Sequence, residues 1–247
     1  MKLDVIMTPG EVQPGALAGR TVVVLDILRA TTSIVQALSA GAKSVLPVGS
    51  IEEALRLVNT FGRDEVLLAG ERRCLPIEGF DLGNSPFEYT PDRVAAKILI
   101  MTTTNGTAAM QLTVNAERVY IGAMLNIGAV VEELVRTEVD PVFLCSGRDK
   151  HFAMEDVVCA GEFARRLMEV RPGDWQLNDG AHAALLLARE FGTGEEVFNL
   201  AAGGKAIVEA GLPKDLEFCA RVDVYDILPV LHERSITVQP ALPGPEQ

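Results

Sequence analysis

The sequence predicts an α/β fold with a largely parallel sheet flanked by helices and a more helical C-terminal part. Three observations favour this fold class. Through the first 145 residues, short runs rich in β-branched residues alternate with stretches of helical periodicity, a pattern typical of β-α-β units. The short runs are apolar on both faces, as the buried strands of a parallel sheet are. After residue 150, helical patterns follow one another with no strand between them.

These periodicities assign the elements in chain order. In the helix predicted at 126–136, Val130 and Leu134 lie on one face because they are four residues apart. Turn formers at 171–174 and 192–194 separate the later helices. The predicted strands cover residues 3–7, 21–25, 44–48, 66–69, 97–102, 118–121, 142–145 and 222–228, and the predicted helices cover 32–40, 51–61, 106–114, 126–136, 154–170, 181–191 and 195–210.

The chain length favours a single domain. A chain of 247 residues suits one large α/β domain or two compact lobes. No stretch has the composition of a linker, so we expect one domain over residues 1–240, with a two-lobed arrangement divided near residue 150 as the alternative. The proline-rich tail at 241–247 is expected to be frayed.

The charge balance excludes some classes of partner. The 22 Lys and Arg against 34 Asp and Glu give a formal net charge of −12. This argues against nucleic acid as the main partner, because a phosphate backbone attracts a basic face. A small anionic molecule remains compatible, since a site can be locally positive on an acidic protein.

The cysteines and the apolar stretches indicate a cytoplasmic protein with no membrane partner. No apolar run approaches the roughly 18 residues of a membrane-spanning helix, and Asp4 interrupts the place of a signal peptide. The spacing of the four cysteines suits neither a zinc site nor a disulfide framework, which favours reduced thiols. They are Cys74, Cys145, Cys159 and Cys219.

Polar residues follow the strand predicted at 21–25 and begin the next helix. Asp26 comes first, then Arg29, and then the hydroxyls of Thr31 and Thr32. Ligands of open α/β sheets bind at the carboxyl ends of the strands, and a helix start with a guanidinium beside it forms an anion site. Because Arg29 lies in the turn, we expect its side chain to stay outside the core. The alternative is that Asp26 and Thr31 only cap the helix.

A second turn repeats this design after the strand predicted at 97–102. Gly106 allows a close backbone approach, while Asn105 and Thr107 can donate to phosphate oxygens. Such a turn can also be an ordinary helix cap, but two of them in one sheet favour an anion site.

Two further segments carry carboxylates. The long connection 70–86 contains Glu71 and Asp81, which could bind a hard cation or could be solvated charges on a surface turn. After the strand predicted at 142–145, Ser146 ends the strand and Asp156 lies at the start of a helix. On spacing alone, a role in complementing the helix dipole is favoured there over a metal role.

Together these segments resemble the 2-phosphosulfolactate phosphatase family, often called ComB-like, of the coenzyme M pathway. The block 79–86, Gly-Phe-Asp-Leu-Gly-Asn-Ser-Pro, is especially specific. A weaker resemblance continues through 178–181 to the region near 222–229. The other matching segments follow the family order and are residues 26–32, 70–72, 103–107 and 152–161.

The resemblance implies an α/β magnesium-dependent phosphatase that converts (2R)-2-phospho-3-sulfolactate to (2R)-3-sulfolactate and phosphate. The resemblance fixes only the motif positions, and the chemistry of each residue suggests its role. We expect one cleft to collect Asp26, Arg29 and Glu71 as catalytic residues. The expected Mg²⁺ ligands are Asp26, Glu71, Asp81 and Asp156, and the expected substrate-binding residues are Arg29, Thr31, Thr32, Arg72, Asn84, Ser85, Asn105, Gly106, Thr107 and Ser146.

Three alternatives stay open. Asp26 could bind the metal or act as an aspartyl nucleophile. Haloacid-dehalogenase phosphatases place a second Asp two residues after the nucleophile, and here that residue is Leu28, which favours direct attack by water. The protein could also hydrolyse another phosphorylated hydroxy acid, or act as a non-catalytic sensor of an anionic metabolite. The expected partner is a small anionic phosphorylated molecule, and a homo-oligomer is left open.

Overall fold

The computed structural model describes residues 1–62, 64–193 and 195–239. The tail predicted to be frayed, 241–247, lies outside the described residues, as does residue 194 of the predicted turn 192–194. Across the described ranges, one sheet contains eleven strands. They are β1 (Lys2–Ile6), β2 (Thr21–Leu25), β3 (Ser44–Pro47), β4 (Val66–Arg72), β5 (Leu75–Pro76), β6 (Ile98–Thr102), β7 (Arg118–Gly122), β8 (Pro141–Cys145), β9 (Gln176–Leu177), β10 (Pro229–His232) and β11 (Ser235–Val238).

Helices connect most of these strands. No helix in the described part of the chain is long and apolar enough to cross a membrane. The α-helices are α1 (Ala30–Ser39), α2 (Ile51–Val58), α3 (Pro91–Val94), α4 (Gly106–Gln111), α5 (Ile127–Arg136), α6 (Met154–Val170), α7 (Asp179–Phe191), α8 (Glu195–Leu200), α9 (Ala202–Glu209) and α10 (Lys214–Cys219).

The sheet has two parallel parts joined by an antiparallel hairpin. The strand order is β5-β4-β6-β3-β11-β10-β7-β2-β8-β1-β9. Strands β7, β2, β8, β1 and β9 pair in parallel, as do β3, β6 and β4. The hairpin β10–β11 pairs antiparallel with β7 on one side and with β3 on the other. This mostly parallel sheet, with helices on it, confirms the predicted fold class.

Strand β2 shows how the sequence builds three layers. All five of its residues are buried, and successive side chains point to opposite faces of a strand. Val23 and Leu25 belong to a core that includes Phe163 of α6, whereas Val22 and Val24 belong to a second core under α1. The apolar run of β2 is therefore explained by helices on both faces of the sheet.

Two predicted elements of the C-terminal part differ in the structure. The strand prediction at 222–228 is wrong, because Asp223 and Tyr225 donate their backbone N–H groups to Met124 and Leu125 and hold the segment against the start of α5. The helix predicted at 195–210 divides into α8 and α9. A side chain at Gly204 would collide with the carbonyl oxygen of Phe198, so the two helices meet closely at this glycine.

The chain before and after residue 150 shares the one sheet. β1 pairs with β9 through Lys2 and Gln176, and β10 pairs with β7. The loops that follow β2, β4, β6 and β8 lie around a common cleft.

Candidate functional site

A cleft of about 460 Å³ lies where these four loops meet helix α9. Each loop directly follows the carboxyl end of a strand, the position at which α/β sheets bind ligands. The lining residues are Asp26, Leu28 and Arg29 after β2; Arg73, Cys74, Leu75 and Asn84 after β4, with Glu71 near the end of that strand; Thr103, Thr104 and Asn105 after β6; Arg148 and Asp149 after β8; and Ala206, Glu209 and Ala210 from the α9 region.

Asp26 occupies the wall of this cleft at the end of β2. Asp26 is only 7% exposed, and its Oδ1 accepts a hydrogen bond of 3.2 Å from the backbone N–H of Ala30. Burial raises the pKa of Asp26 to about 7, and the charges of Glu71 and Glu155 add to this, while the Ala30 hydrogen bond and Arg29 oppose it. A cation near Asp26 would therefore be favoured electrostatically.

Gly106 allows the start of α4 to lie against Asp26. A Cβ atom on Gly106 would lie 2.7 Å from Oδ2 of Asp26 and 2.6 Å from the Cβ of Ala30. These separations are too short for any other residue without movement of the backbone or of Asp26. The glycine therefore fixes how closely the β2 and β6 turns approach each other.

Arg29 is buried, contrary to the expectation that its side chain would lie outside the core. Its exposure is 2%, and Nη1 donates to Oδ2 of Asp215 over 2.6 Å. Nη2 donates to the carbonyl oxygen of Cys74 over 2.9 Å. Asp215 lies in α10, a helix that the sequence patterns did not predict, and this remote carboxylate compensates the buried charge.

Glu71 ties the turn after β4 to the turn after β6. Its Oε1 accepts hydrogen bonds of 2.8 Å from both the backbone N–H and the hydroxyl of Thr104, and its Oε2 accepts one of 2.9 Å from the N–H of Cys74. Three donors thus hold this carboxylate, which fixes the geometry of two loops that line the cleft.

Asp156 performs the same function between the loops after β2 and β8. Its two carboxylate oxygens accept from the backbone N–H groups of Ile27 and Gly147, at 2.9 and 3.0 Å. Burial raises the pKa of Asp156 well above its usual range, and the nearby charges of Asp26 and Glu155 add to this. Asp156 does not line the cleft and lies behind its wall.

Several hydroxyls expected to bind substrate are engaged inside the protein instead. Thr31 and Thr32 are fully buried, and their hydroxyls donate to the carbonyl oxygens of Asp26 and Ile27. Thr107 donates to the carbonyl of Thr103. None of these threonine hydroxyls is directed to the cleft, because each satisfies a backbone group near the start of a helix.

Three further predicted residues also lie away from the cleft lining. Arg72 directs its guanidinium to the carbonyl oxygens of Glu71 and Thr102 and to the Thr102 hydroxyl. Asp81 is exposed, and its carboxylate accepts from the N–H of Leu68. Ser85 donates its hydroxyl to Asp215.

Two buried polar atoms have no hydrogen-bond partner within the described residues. They are the side-chain oxygen of Asn84, which lines the cleft, and the hydroxyl oxygen of Ser146, which does not. A buried polar atom without a partner is costly. Asn84 therefore carries, at the edge of the cleft, a buried acceptor that no described residue satisfies.

The structure adds two arginines that the sequence patterns did not select. Arg73 and Arg148 line the cleft together with Arg29. Arg73 is adjacent to Arg72, but it lies in the turn between β4 and β5 with a left-handed φ of 54°, so it is directed differently from its neighbour. The cleft thus offers three guanidinium groups, although the whole chain is acidic.

The cleft also contains a thiol. Burial raises the pKa of Cys74 above its ordinary value, so this side chain is a thiol and not a thiolate at neutral pH. Because the thiolate is the nucleophilic form, burial keeps Cys74 in its less reactive form.

The donor set bears on whether a divalent cation fits here. Among the described residues, no group of three or more His, Cys, Asp or Glu is arranged to hold a metal ion. Mg²⁺ in phosphate-processing sites commonly takes one or two protein carboxylates and completes its shell with water and phosphate oxygens. The carboxylate of Asp26, which lines the cleft, fits that pattern.

Comparison with known proteins finds a matching family model and curated relatives that cover most of the chain. Residues 6–234 match the sequence model of a family described as 2-phosphosulpholactate phosphatase. A protein of Caldanaerobacter subterraneus subsp. tengcongensis is 38% identical over 94% of this chain and 95% of its own length. A protein of Clostridium acetobutylicum is 40% identical over 93% of this chain and 97% of its own length. A protein of Symbiobacterium thermophilum is 41% identical over 90% of this chain and 95% of its own length. All three carry the name probable 2-phosphosulfolactate phosphatase.

Proposed function

Because the chain belongs to the 2-phosphosulpholactate phosphatase family, we propose that it hydrolyses (2R)-2-phospho-3-sulfolactate to (2R)-3-sulfolactate and inorganic phosphate, as in coenzyme M biosynthesis. The active site is the cleft at Asp26. The observation that carries the proposal is the meeting of Asp26 with three arginines at the carboxyl ends of the strands.

The charges of the cleft suit the proposed substrate. The molecule carries a phosphate, a sulfonate and a carboxylate on three carbons, so its recognition requires several cationic donors close together. Arg29, Arg73 and Arg148 line one cleft of about 460 Å³, and guanidinium groups bind such oxyanions with paired N–H donors. We assign the phosphoryl group to Arg29, which adjoins Asp26, the carboxylate to Arg73 and the sulfonate to Arg148.

We propose that the protein uses Mg²⁺ and that Asp26 would hold it. When bound, this ion would neutralise charge on the phosphoryl oxygens and lower the pKa of a coordinated water molecule. Arg29 would bind the phosphoryl oxygens and stabilise the charge that develops on them. Glu71 and Asp156 hold the surrounding loops, because their carboxylates are occupied by backbone donors.

We propose direct attack by water and not an aspartyl-phosphate intermediate. Haloacid-dehalogenase phosphatases, which form such an intermediate, place a second Asp two residues after the nucleophile, and here that residue is Leu28. Asn84 lines the cleft and has a side-chain oxygen without a partner among the described residues, and we propose that this oxygen orients the attacking water. Protein quenched in acid during turnover should show no phosphoryl adduct by mass spectrometry, whereas an adduct on Asp26 would contradict direct attack.

Phosphate release from 2-phosphosulfolactate tests the proposed function. Purified protein is assayed with Mg²⁺, after treatment with a chelator, and after Mg²⁺ is restored. We expect release that is lost with the chelator and recovered with the metal. Full activity in metal-free protein would contradict the magnesium role.

The substrate preference needs a comparison series. 2-Phospholactate lacks the sulfonate, and 2-phosphoglycerate replaces it by a hydroxyl. We expect kcat/KM to be highest for 2-phosphosulfolactate. A higher value for another phosphorylated hydroxy acid would identify that alternative substrate class, and tight binding with no release of phosphate would identify a sensor.

The four free cysteines suit the cytoplasmic location that we propose.

A further inference from the structure

Asp215 is the least expected member of the region around the cleft. It lies in α10, 186 residues from Arg29 along the chain, and no sequence pattern selected it. Asp215 and Arg29 are each 2% exposed. A buried ion pair of this kind is costly to maintain unless its geometry is favourable and its remaining atoms are hydrogen-bonded.

Both oxygens of the Asp215 carboxylate are occupied. Oδ2 accepts from Nη1 of Arg29 over 2.6 Å, and Oδ1 accepts from the hydroxyl of Ser85 over 2.7 Å. Ser85 is itself buried and belongs to the Asn-Ser-Pro end of the long connection after β4. The preceding carbonyl, of Asn84, accepts a hydrogen bond of 2.7 Å from the Ser33 hydroxyl in α1.

Arg29 is therefore held at two points and retains donors for a third. A guanidinium has five N–H donors, of which one points to Asp215 and one to the carbonyl of Cys74. Arg29 also lines the cleft, whereas Asp215 is not among the lining residues. Asp215 thus contacts the residue that faces the ligand, but not the ligand.

From these contacts we infer that Asp215 is a positioning residue for phosphoryl binding: with Ser85 behind it, its carboxylate fixes the plane of the Arg29 guanidinium so that the free N–H groups meet the substrate's phosphate. The inference rests on the proposed function for the identity of the bound group. It also explains the Asn-Ser end of the block 79–86, in which Asn84 faces the cleft and Ser85 faces Asp215.

Asp215→Asn is the first test, because it removes the charge and keeps the shape. Misplacement of a catalytic group by about 1 Å can cost roughly 100-fold in rate, so we expect kcat to fall about 10- to 100-fold while KM changes less. Ser85→Ala leaves the charges of Arg29 and Asp215 in place and should lower kcat by a smaller factor than Asp215→Asn does. If Asp215→Asn fails to fold, Ser85→Ala carries the test.

The matched control is Glu162→Gln in α6. Glu162 is another buried carboxylate, 3% exposed, and pairs with Arg165 and Arg166 outside the cleft. This variant should lower the melting temperature without changing kcat. Equal losses of kcat in Glu162→Gln and Asp215→Asn would show a general effect of destabilisation and would overturn the inference.

A double variant separates positioning from a purely structural role. If Asp215 acts through Arg29, adding Asp215→Asn to Arg29→Lys should lower kcat by no more than about threefold beyond Arg29→Lys alone, because coupled residues are non-additive. Multiplication of the two single losses would contradict the inference.

Binding of inorganic phosphate gives a readout that does not require turnover. Phosphate should raise the melting temperature of the unsubstituted protein and should raise that of Asp215→Asn much less. If the unsubstituted protein releases no phosphate from 2-phosphosulfolactate but shows this binding difference, the proposed substrate fails and the positioning role stands. If Asp215→Asn keeps both its kcat and its phosphate-induced shift, the positioning role fails and the proposed function stands.

Discussion

Replacing Arg29 by lysine should impair turnover strongly and stability measurably. Lysine keeps the charge and can pair with Asp215, but a single ammonium group lacks the planar fork of the guanidinium. It cannot satisfy Asp215 and the carbonyl of Cys74, at 2.6 and 2.9 Å in the present arrangement, and also bind two phosphoryl oxygens. The substitution therefore removes contacts on both sides of the side chain.

The two losses have different magnitudes. Loss of a donor that stabilises charge in the transition state costs about 2–4 kcal/mol by analogy with an oxyanion hole, which corresponds to a reduction of about 30- to 1000-fold in rate. Leaving the partly buried carbonyl of Cys74 without a donor costs about 1–3 kcal/mol of folding free energy. For a chain of this size, each kcal/mol lowers the melting temperature by about 2–4 °C.

Steady-state kinetics and thermal melts on the same preparation measure both effects. Arg93→Lys is the control, because Arg93 is exposed and donates to the backbone carbonyls of Asp81 and Glu88, outside the cleft lining. We expect the control to keep its kcat. Near-normal kinetics in a folded Arg29→Lys protein would refute the assignment of Arg29 to the reacting phosphate.

Three further predictions follow from individual contacts. Gly106→Ala should destabilise the protein by about 1–2 kcal/mol through overpacking and should lower kcat by displacing Asp26. The control Ala108→Gly, on the exposed side of α4, should change stability only. Equal activity of the two variants would contradict the role of the close approach between Gly106 and Asp26. Arg148→Ala should raise KM for 2-phosphosulfolactate by about 5- to 20-fold, about 1–2 kcal/mol, and should raise KM for 2-phospholactate less. An equal effect on both substrates would contradict the assignment of the sulfonate to Arg148. Burial opposes ionisation of Glu162, but its hydrogen bonds to Arg165 and Arg166 prevail and lower its pKa. The unsubstituted protein should therefore be more stable than Glu162→Gln above the unfolded-state pKa of about 4.3, and this difference should vanish as the pH falls through the lower folded-state pKa. A difference in stability that persists at pH 2 would contradict this origin.

The sequence was informative about which strand ends carry the site. Asp26, Glu71 and Asn105 each follow or end a strand, and the regular geometry of parallel strands is enough to place such residues together. The alternation that predicted these strands is local and depends on burial on both faces, as in β2. These parts of the site follow from short-range patterns.

The contacts that decide which side chains face the ligand are not local. The choice between Arg72 and Arg73 depends on the left-handed backbone of Arg73 and Cys74 in the turn after β4. The burial of Arg29 depends on Asp215 in α10. Periodicity contains no information about a pair separated by 186 residues.

The same limit explains the incorrect strand at 222–228. Its residues have an apolar pattern typical of a strand, but Asp223 and Tyr225 bond to the turn before α5. The hairpin β10–β11 then forms later in the chain, between β7 and β3. Tertiary contacts prevail over local propensity at this position.

The most direct test of the central claim is phosphate release from 2-phosphosulfolactate by the unsubstituted protein and by Asp26→Asn, measured side by side with Mg²⁺ present and with the fold of both checked by circular dichroism and thermal melting. Asparagine keeps the size of the side chain and removes its charge. We expect release by the unsubstituted protein and a loss of about 1000-fold or more in kcat/KM for the variant, comparable with loss of a principal catalytic group. Comparable rates in the two folded proteins would contradict the assignment of the active site to this cleft.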